Sequence, residues 1–235
     1  MNNETQNRFE GSLGEEYSLF QIAIPHHDEL QDTLAEQVAQ YSRNHGGPLT
    51  MLEIGCGTGI TTERILRACP QAHVIAIDPD AQMLIQAKVA LREFQGRVEF
   101  VQGTALEVLS TVHKQVNVVA SAYTLHNLMP AERSKTLSAI SKVLKTGGLF
   151  VNADKYAQDD KTLHSLDLQT QLRAFDAFIR IGRDDLKKEW TEHYLEDETH
   201  PIFESVEKTE LASVGFRNVK IVYRQGMEAV IVAQK

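Results

Sequence analysis

The chain has 235 residues, 42% of them hydrophobic, with a formal net charge of −8 and two cysteines. That apolar fraction supports a packed core and excludes wholesale disorder, while the acidic balance argues against a surface that tracks nucleic-acid phosphates. No apolar run approaches the roughly 18 residues of a spanning helix, the first 20 residues lack an apolar signal-peptide region, and Cys56 and Cys69 make no disulfide framework, so one domain in a reducing cytoplasm is expected.

Residues 1–20 read as loosely structured, with Tyr17, Leu19, Phe20, Ile22 and Ile24 apolar enough to dock on a domain. Pro25 opens a helix in the position where proline is tolerated, and Leu30, Leu34, Val38 and Tyr41 recur at helical spacing until Asn44-His-Gly-Gly-Pro stops it. An alternating α/β region then begins at Leu49. Leu49, Met51, Leu52 and Ile54 predict a buried strand, Gly55, Gly57 and Gly59 a turn, and 60–68 a helix. A second strand, 73–77, ends at Asp78-Pro79, and a helix of about 80–94 carries Met83, Leu84, Ala87 and Leu91 on one face. A third strand, 98–101, leads to Gly103-Thr104-Ala105-Leu106, and a fourth, 116–121, to Tyr123-Thr-Leu-His126-Asn-Leu. The segment 131–144 is an amphipathic helix with its C-cap in Lys145-Thr-Gly-Gly, and 149–153 is the fifth strand. Strands joined by helical crossovers predict a parallel sheet wound right-handed. Residues 155–200 interrupt the alternation: a polar helical insertion, with Leu163, Leu166, Leu168, Leu172, Phe175, Phe178 and Ile179 as its stripe, is expected over the C-terminal edge of the sheet, where open α/β folds bind ligands. A helix over 204–214 and strands at 219–223 and 229–233, with 224–228 as a hairpin loop, close the chain.

The glycine turn does not follow the dinucleotide spacing Gly-x-Gly-x-x-Gly, because Ile60 stands at the last position. Instead Glu53-Ile-Gly55-Cys56-Gly57-Thr-Gly59 resembles the first motif of the class I S-adenosylmethionine-dependent methyltransferases of small-molecule type. Asp78 matches the family's ribose-binding acid, Gly103–Leu106 its adenine turn, Asn117–Leu128 its fourth-strand motif, and Leu144-Lys-Thr-Gly-Gly-Leu-Phe its entry to the fifth strand. The resemblance covers roughly 49–153 and extends to the closing hairpin. It implies a Rossmann-like seven-stranded, mostly parallel sheet ending in an antiparallel hairpin, with helices on both faces. It also implies a single domain, 1–235, with a helical N-terminal cap at 1–45 and a helical lid at 155–200. The cofactor implied is S-adenosyl-L-methionine, with S-adenosyl-L-homocysteine as product. Its binding set would be Glu53, Gly55, Cys56, Gly57, Gly59, Asp78, Pro79, Met83, Gly103, Thr104, Ala105, Leu106, Ser121 and Ala122. Two positions depart from the pattern: Thr104 stands where the family often has the acid that accepts from the adenine amino group, and Asn117 opens the fourth strand in place of Asp.

A methyl sulfonium is already activated, so the protein's tasks are alignment and exclusion of water, with a base only where the acceptor carries a proton. His126, just past the fourth strand, is the catalytic candidate, and packing at the start of the next helix is its structural alternative. Tyr17, ahead of the first helix, is the second candidate, placed to close the transfer chamber. Trp190, His193 and Tyr194 read as an interhelical seam more readily than as a lid. His26 and His27 are adjacent and lack supporting ligand spacing, so no metal is expected. The expected partner is a small-molecule acceptor, without nucleic acid or membrane, and with a homodimer compatible. Two alternatives stand beside methyl transfer. Ile24-Pro25 and the terminal Leu-x-x-x-Gly-Phe loosely resemble carboxy-S-adenosylmethionine synthase, for which Arg173 or Arg180 is a candidate carboxylate partner. The other alternative is a non-catalytic cofactor-binding protein.

Overall fold

The computed structural model describes residues 17–112 and 114–235, with side chains from residue 19 onward. Seven strands form one sheet: β1 (Leu49–Ile54), β2 (Ala72–Asp78), β3 (Val98–Gln102), β4 (Val116–Ala122), β5 (Leu144–Lys155), β6 (Arg217–Gln225) and β7 (Glu228–Gln234). Their order is β3-β2-β1-β4-β5-β7-β6, parallel from β3 to β5 and antiparallel for the last two pairings. Every residue of β4, and every residue of β1 but Thr50, is buried, as central strands covered on both faces require. The alternation of side chains sends Leu49 and Met51 to one core and Leu52 and Ile54 to the other. The first core is covered by α1 (His27–His45), α2 (Ile60–Ala68) and α3 (Ala81–Ala90); the second by α4 (Ala105–Thr111), α5 (Pro130–Val143) and α9 (Glu204–Ser213). The result is a three-layer arrangement.

Local chemistry sets the boundaries. Gly46 takes a left-handed φ of 73° and donates to Ser42 O, closing α1. Asp80 caps α3 by accepting from the Gln82 and Met83 N–H groups. The helix expected over 80–94 divides: α3 stops at Ala90 and a 3-10 turn takes Arg92–Phe94. α4 is not anticipated by periodicity, being seven residues long, although Thr104 and Glu107 form a reciprocal capping box at its start. α5 ends before the glycine pair expected to cap it. Leu144 is already extended and pairs with Val116, and Gly147, at φ 78°, donates to Lys235 O. The hairpin loop contracts from five residues to two, Gly226 and Met227, because Arg224, Gln225 and Glu228 pair across it. Gly226 has the positive φ, 56°, that a two-residue turn favours.

The insertion forms α6 (Lys161–Ala174), α7 (Asp176–Arg180) and α8 (Asp184–Asp197). Its expected stripe is split. Phe175 and Phe178 are buried with Leu186, Trp190 and Tyr194, while Leu163, Leu166 and Ile179 face solvent. Before α1, a 3-10 helix (Tyr17–Ala23) lies against the insertion: Gln171 Nε2 donates to Ala23 O at 2.9 Å, and Phe20 stacks on Trp190 at 4.1 Å.

Several carboxyls are buried without full pairing. Burial pushes Glu207, on α9, up to about 8 against the opposing pull of Arg133, and it pushes Glu228 up to about 7. A carboxyl raised in the folded state stabilises it while protonated, and that contribution is lost as pH rises from the unfolded value to the folded one. Stability should therefore fall between about pH 4.5 and 8, by on the order of 1 kcal/mol per pH unit for each such group at most. Glu207→Gln should flatten the pH dependence of urea unfolding in this window; an unchanged slope would show that Glu207 ionises normally.

Candidate active site

The strand order reverses between β1 and β4, and the turn after β1 opens at that point. Gly55, Gly57 and Gly59 have φ of 68°, 52° and 93°, a region L side chains rarely adopt. Their surroundings differ. A Cβ on Gly55 would lie 2.1 Å from Thr124 Oγ1, and one on Gly59 would lie 2.9 Å from Leu91 Cδ1, whereas one on Gly57 meets nothing within 4 Å. The outer glycines let the protein pack on itself, and the middle one leaves backbone open to a ligand.

Beside it, the Asp78 carboxylate at the end of β2 accepts from Gly57 N–H at 2.8 Å and Asp80 N–H at 2.9 Å. Burial raises its pKa, and these two bonds oppose the rise. A carboxylate has about four acceptor positions, so capacity for further donors remains. Cys56 N–H donates to Ile77 O at 2.9 Å, and Gly103 N–H to Asp78 O at 3.1 Å, so the turns after β1, β2 and β3 are tied together. Glu53 is fully buried: Oε2 accepts from Thr62 Oγ1 at 2.5 Å, and Oε1 has no hydrogen-bond partner among the described residues. Burial pushes it up to about 8. Met83, in the first turn of α3, is buried, while Pro79 is exposed and its carbonyl accepts from Gln102. The Thr104 hydroxyl belongs to the capping box, accepting from Glu107 N–H and donating to its carboxylate, with Ala105 and Leu106 half-buried behind it. Ser121 and Ala122 end β4 beside the glycine turn, both buried. Asn117 lies at the opposite edge of the sheet, where Oδ1 accepts from Thr50 N–H and Lys145 Nζ.

A second polar group lies past the ends of β4 and β5. Tyr123 is a non-glycine residue at φ 47°, a conformation concentrated at functional sites. His126 follows in a single 3-10 turn, buried, with Nδ1 2.5 Å from Asp154 Oδ1 and its backbone N–H donating to Asp154 Oδ2 at 3.2 Å. The carboxylate orients the ring and, by accepting from Nδ1–H, leaves the lone pair on Nε2. That Nε2 lies 3.8 Å from Asp197 Oδ2 on α8, as does His193 Nε2, and Lys155 Nζ is bonded to the same oxygen. Burial lowers the Lys155 pKa, with Asp197 opposing. Trp190, His193 and Tyr194 pack together with Phe20 and Phe175, His193 lying edge to face with Trp190 at 5.4 Å, and from there it also meets His126 edge to face at 6.5 Å. His27 is buried against the Tyr123 ring, whereas His26 faces Glu29 from a more exposed position, so the adjacent histidines diverge. The Tyr17 side chain lies outside the described residues, and Arg173 and Arg180 are exposed. Asp154, Lys155 and Asp197 escaped the sequence reading; the His193/Asp197 spacing of one helical turn was their one local signal.

The fold and turn define an α/β protein with a nucleotide-type crevice at its switch point. Residues 51–148 match the methyltransferase domain family. The chain is 34% identical over 119 residues to demethylmenaquinone methyltransferase of Leptospira interrogans, covering 50% of this chain and 47% of that one. It is 24% identical over 218 residues to carboxy-S-adenosyl-L-methionine synthase of Sulfurimonas denitrificans, covering 92% and 89%. An O-methyltransferase family protein from Burkholderia thailandensis superposes with a TM-score of 0.65 at 16% identity, over 88% of this chain and 56% of that one. The chain thus spans about half the length of the Leptospira relative and of the Burkholderia structure. Residues 51–148 are thus similar to a methyltransferase domain, on a fold shared with the Burkholderia structure.

The glycines separate experimentally. Gly55→Ala should cost about 3 kcal/mol or more in urea unfolding, from a collision of the new Cβ with the Thr124 side chain added to strain, and Gly57→Ala about 1–2 kcal/mol, from its left-handed conformation alone. Equal losses would mean that the turn packs differently.

Proposed function

We propose that the chain transfers the methyl group of S-adenosylmethionine to a small-molecule acceptor enclosed under residues 17–27 and 155–200, acting as cap and lid of a single domain. The observation that carries this reading is the open backbone at Gly57 beside an Asp78 carboxylate with acceptor capacity to spare. The bound cofactor supplies an activated methyl group. Asp78 accepts from the ribose hydroxyls, as a carboxylate does well for a vicinal pair. Gly55, Cys56, Gly57 and Gly59 wrap the cofactor, and the unpartnered Glu53 Oε1 is an acceptor for its amino group through water. Met83, Pro79 and the Gly103–Thr104–Ala105–Leu106 turn flank the adenine, and Ser121 and Ala122 present backbone to the methionine moiety. The aromatic wall of Phe20, Tyr123 and Trp190 excludes water, and Tyr17 closes the chamber. His126 acts on the acceptor through Nε2, the atom that Asp154 leaves available.

A second reading has its own support: the carboxy-S-adenosylmethionine synthase relative aligns with nearly the whole chain. Against it, Arg173 and Arg180 lie on the surface, away from buried chemistry. Mass spectrometry of small molecules released from the purified protein separates the readings, since a carboxylated cofactor supports only the second.

In equilibrium dialysis, Asp78→Ala should weaken S-adenosylmethionine binding about 10-fold or more, the scale of lost hydrogen bonds to a charged group. His126→Gln should retain that affinity and lower transfer of labelled methyl into a metabolite extract about 100-fold. Failure of the wild type to bind the cofactor would sink the reading.

A further inference from the structure

We propose that His126, His193 and Asp197 form a binding site for a divalent first-row transition-metal ion. The three side chains are buried, and one ligand atom from each lies within 4.8 Å of the other two. His126 Nε2 and His193 Nε2 both stand 3.8 Å from Asp197 Oδ2, too far to hydrogen-bond to it. Ligand atoms about 2.0–2.2 Å from a common ion lie roughly 3–4 Å apart, so the carboxylate oxygen already has the right spacing to each imidazole.

The surroundings fit as well. Asp154 holds His126 by Nδ1 at 2.5 Å, the carboxylate–histidine arrangement that orients an imidazole ligand and raises its basicity. A small cavity lined by His126, Lys155, His164, Asp197, Glu198 and His200 adjoins the group. Two imidazoles and one carboxylate suit zinc, cobalt, nickel or iron rather than magnesium or calcium, which prefer oxygen ligands alone. Lys155 Nζ, bonded to Asp197 and 3.8 Å over the Tyr194 ring, is the internal cation that competes for the carboxylate.

The site stands on geometry independent of the reaction; its use rests on the methyl-transfer reading. With the ion bound, His126 Nε2 serves as a ligand and not as a base. Three protein ligands leave coordination positions open, an acceptor hydroxyl held there loses its proton to solvent water, and its oxygen takes the methyl as the methyl–sulfur bond breaks to leave S-adenosylhomocysteine. This narrows the acceptor to one with an oxygen donor.

The test is titration of chelator-stripped full-length protein with Co²⁺, read by visible d–d absorption and metal analysis. The wild type should bind one ion with imidazole-type bands, and His193→Gln and Asp197→Asn should each lower affinity at least 10-fold. Lys155→Met should raise affinity, and added Co²⁺ should restore thermal stability that this variant loses, so a folding defect and a lost ligand are told apart. Absence of saturable Co²⁺ binding in wild type and Lys155→Met, or binding undiminished in both ligand variants, overturns the site. S-adenosylmethionine dialysis on the stripped protein runs in parallel. Retained cofactor binding with metal-dependent methyl transfer supports the proposed use. Transfer unchanged without metal overturns the use, and lost cofactor binding in every form overturns the methyltransferase reading instead.

Discussion

A parallel sheet that winds outward in both directions from its centre sends successive crossovers to opposite faces, and the two sets of connections part where the direction changes. Here that point lies between β1 and β4. The turn after β1 therefore has a free face, which is where Gly57 is open while Gly55 and Gly59 are packed tight. The same parting places Tyr123 and His126, just beyond β4, next to the crevice without obstructing it. The open glycine turn and the polar group beyond β4 are thus two consequences of one topological fact.

Buried polar groups mark both sides. At the glycine turn, Glu53 and Asp78 are carboxyls inside the protein, and the raised pKa of each reflects the cost of desolvating an anion. At the end of β5, Asp154 offsets that cost by accepting from His126, Asn152 and the Lys155 backbone N–H. Removing one member of such a network leaves the others buried and uncompensated, so its polar residues constrain one another.

Local patterns made much of the sheet and the glycine turn legible, because period-two burial and glycine spacing are properties of adjacent residues. The failures share the opposite cause. Leu163, Leu166 and Ile179 looked like core because a stripe reports amphipathicity, not which surface it meets, and α6 leaves two of them in solvent. Arg224, Gln225 and Glu228 looked like loop because they are polar, though strand pairing uses their backbone. Asp154 and Asp197 are 43 residues apart, and only the return of α8 over β5 brings both to His126. Of the candidate site, the glycine turn and Asp78 were readable because short motifs carry them; the group around Asp197 was not, because no short motif carries it.

That division has a consequence for how function is assigned on this fold. The turn after β4 contributes His126, the end of β5 Asp154 and Lys155, the insertion Trp190, His193 and Asp197, and the N-terminal segment Phe20 and His27. The family match, 51–148, contains His126 from this set but none of the others. Likeness within that span therefore speaks to the crevice at the glycine turn, while the group around Asp197 is assembled by segments outside it. Function resides in a site built on a fold rather than in the fold itself, and here the polar group around Asp197 depends on α8 lying against the ends of β4 and β5. A change in the length of the insertion would leave the glycine turn intact and remove His193 and Asp197 from His126 without touching a residue of the crevice.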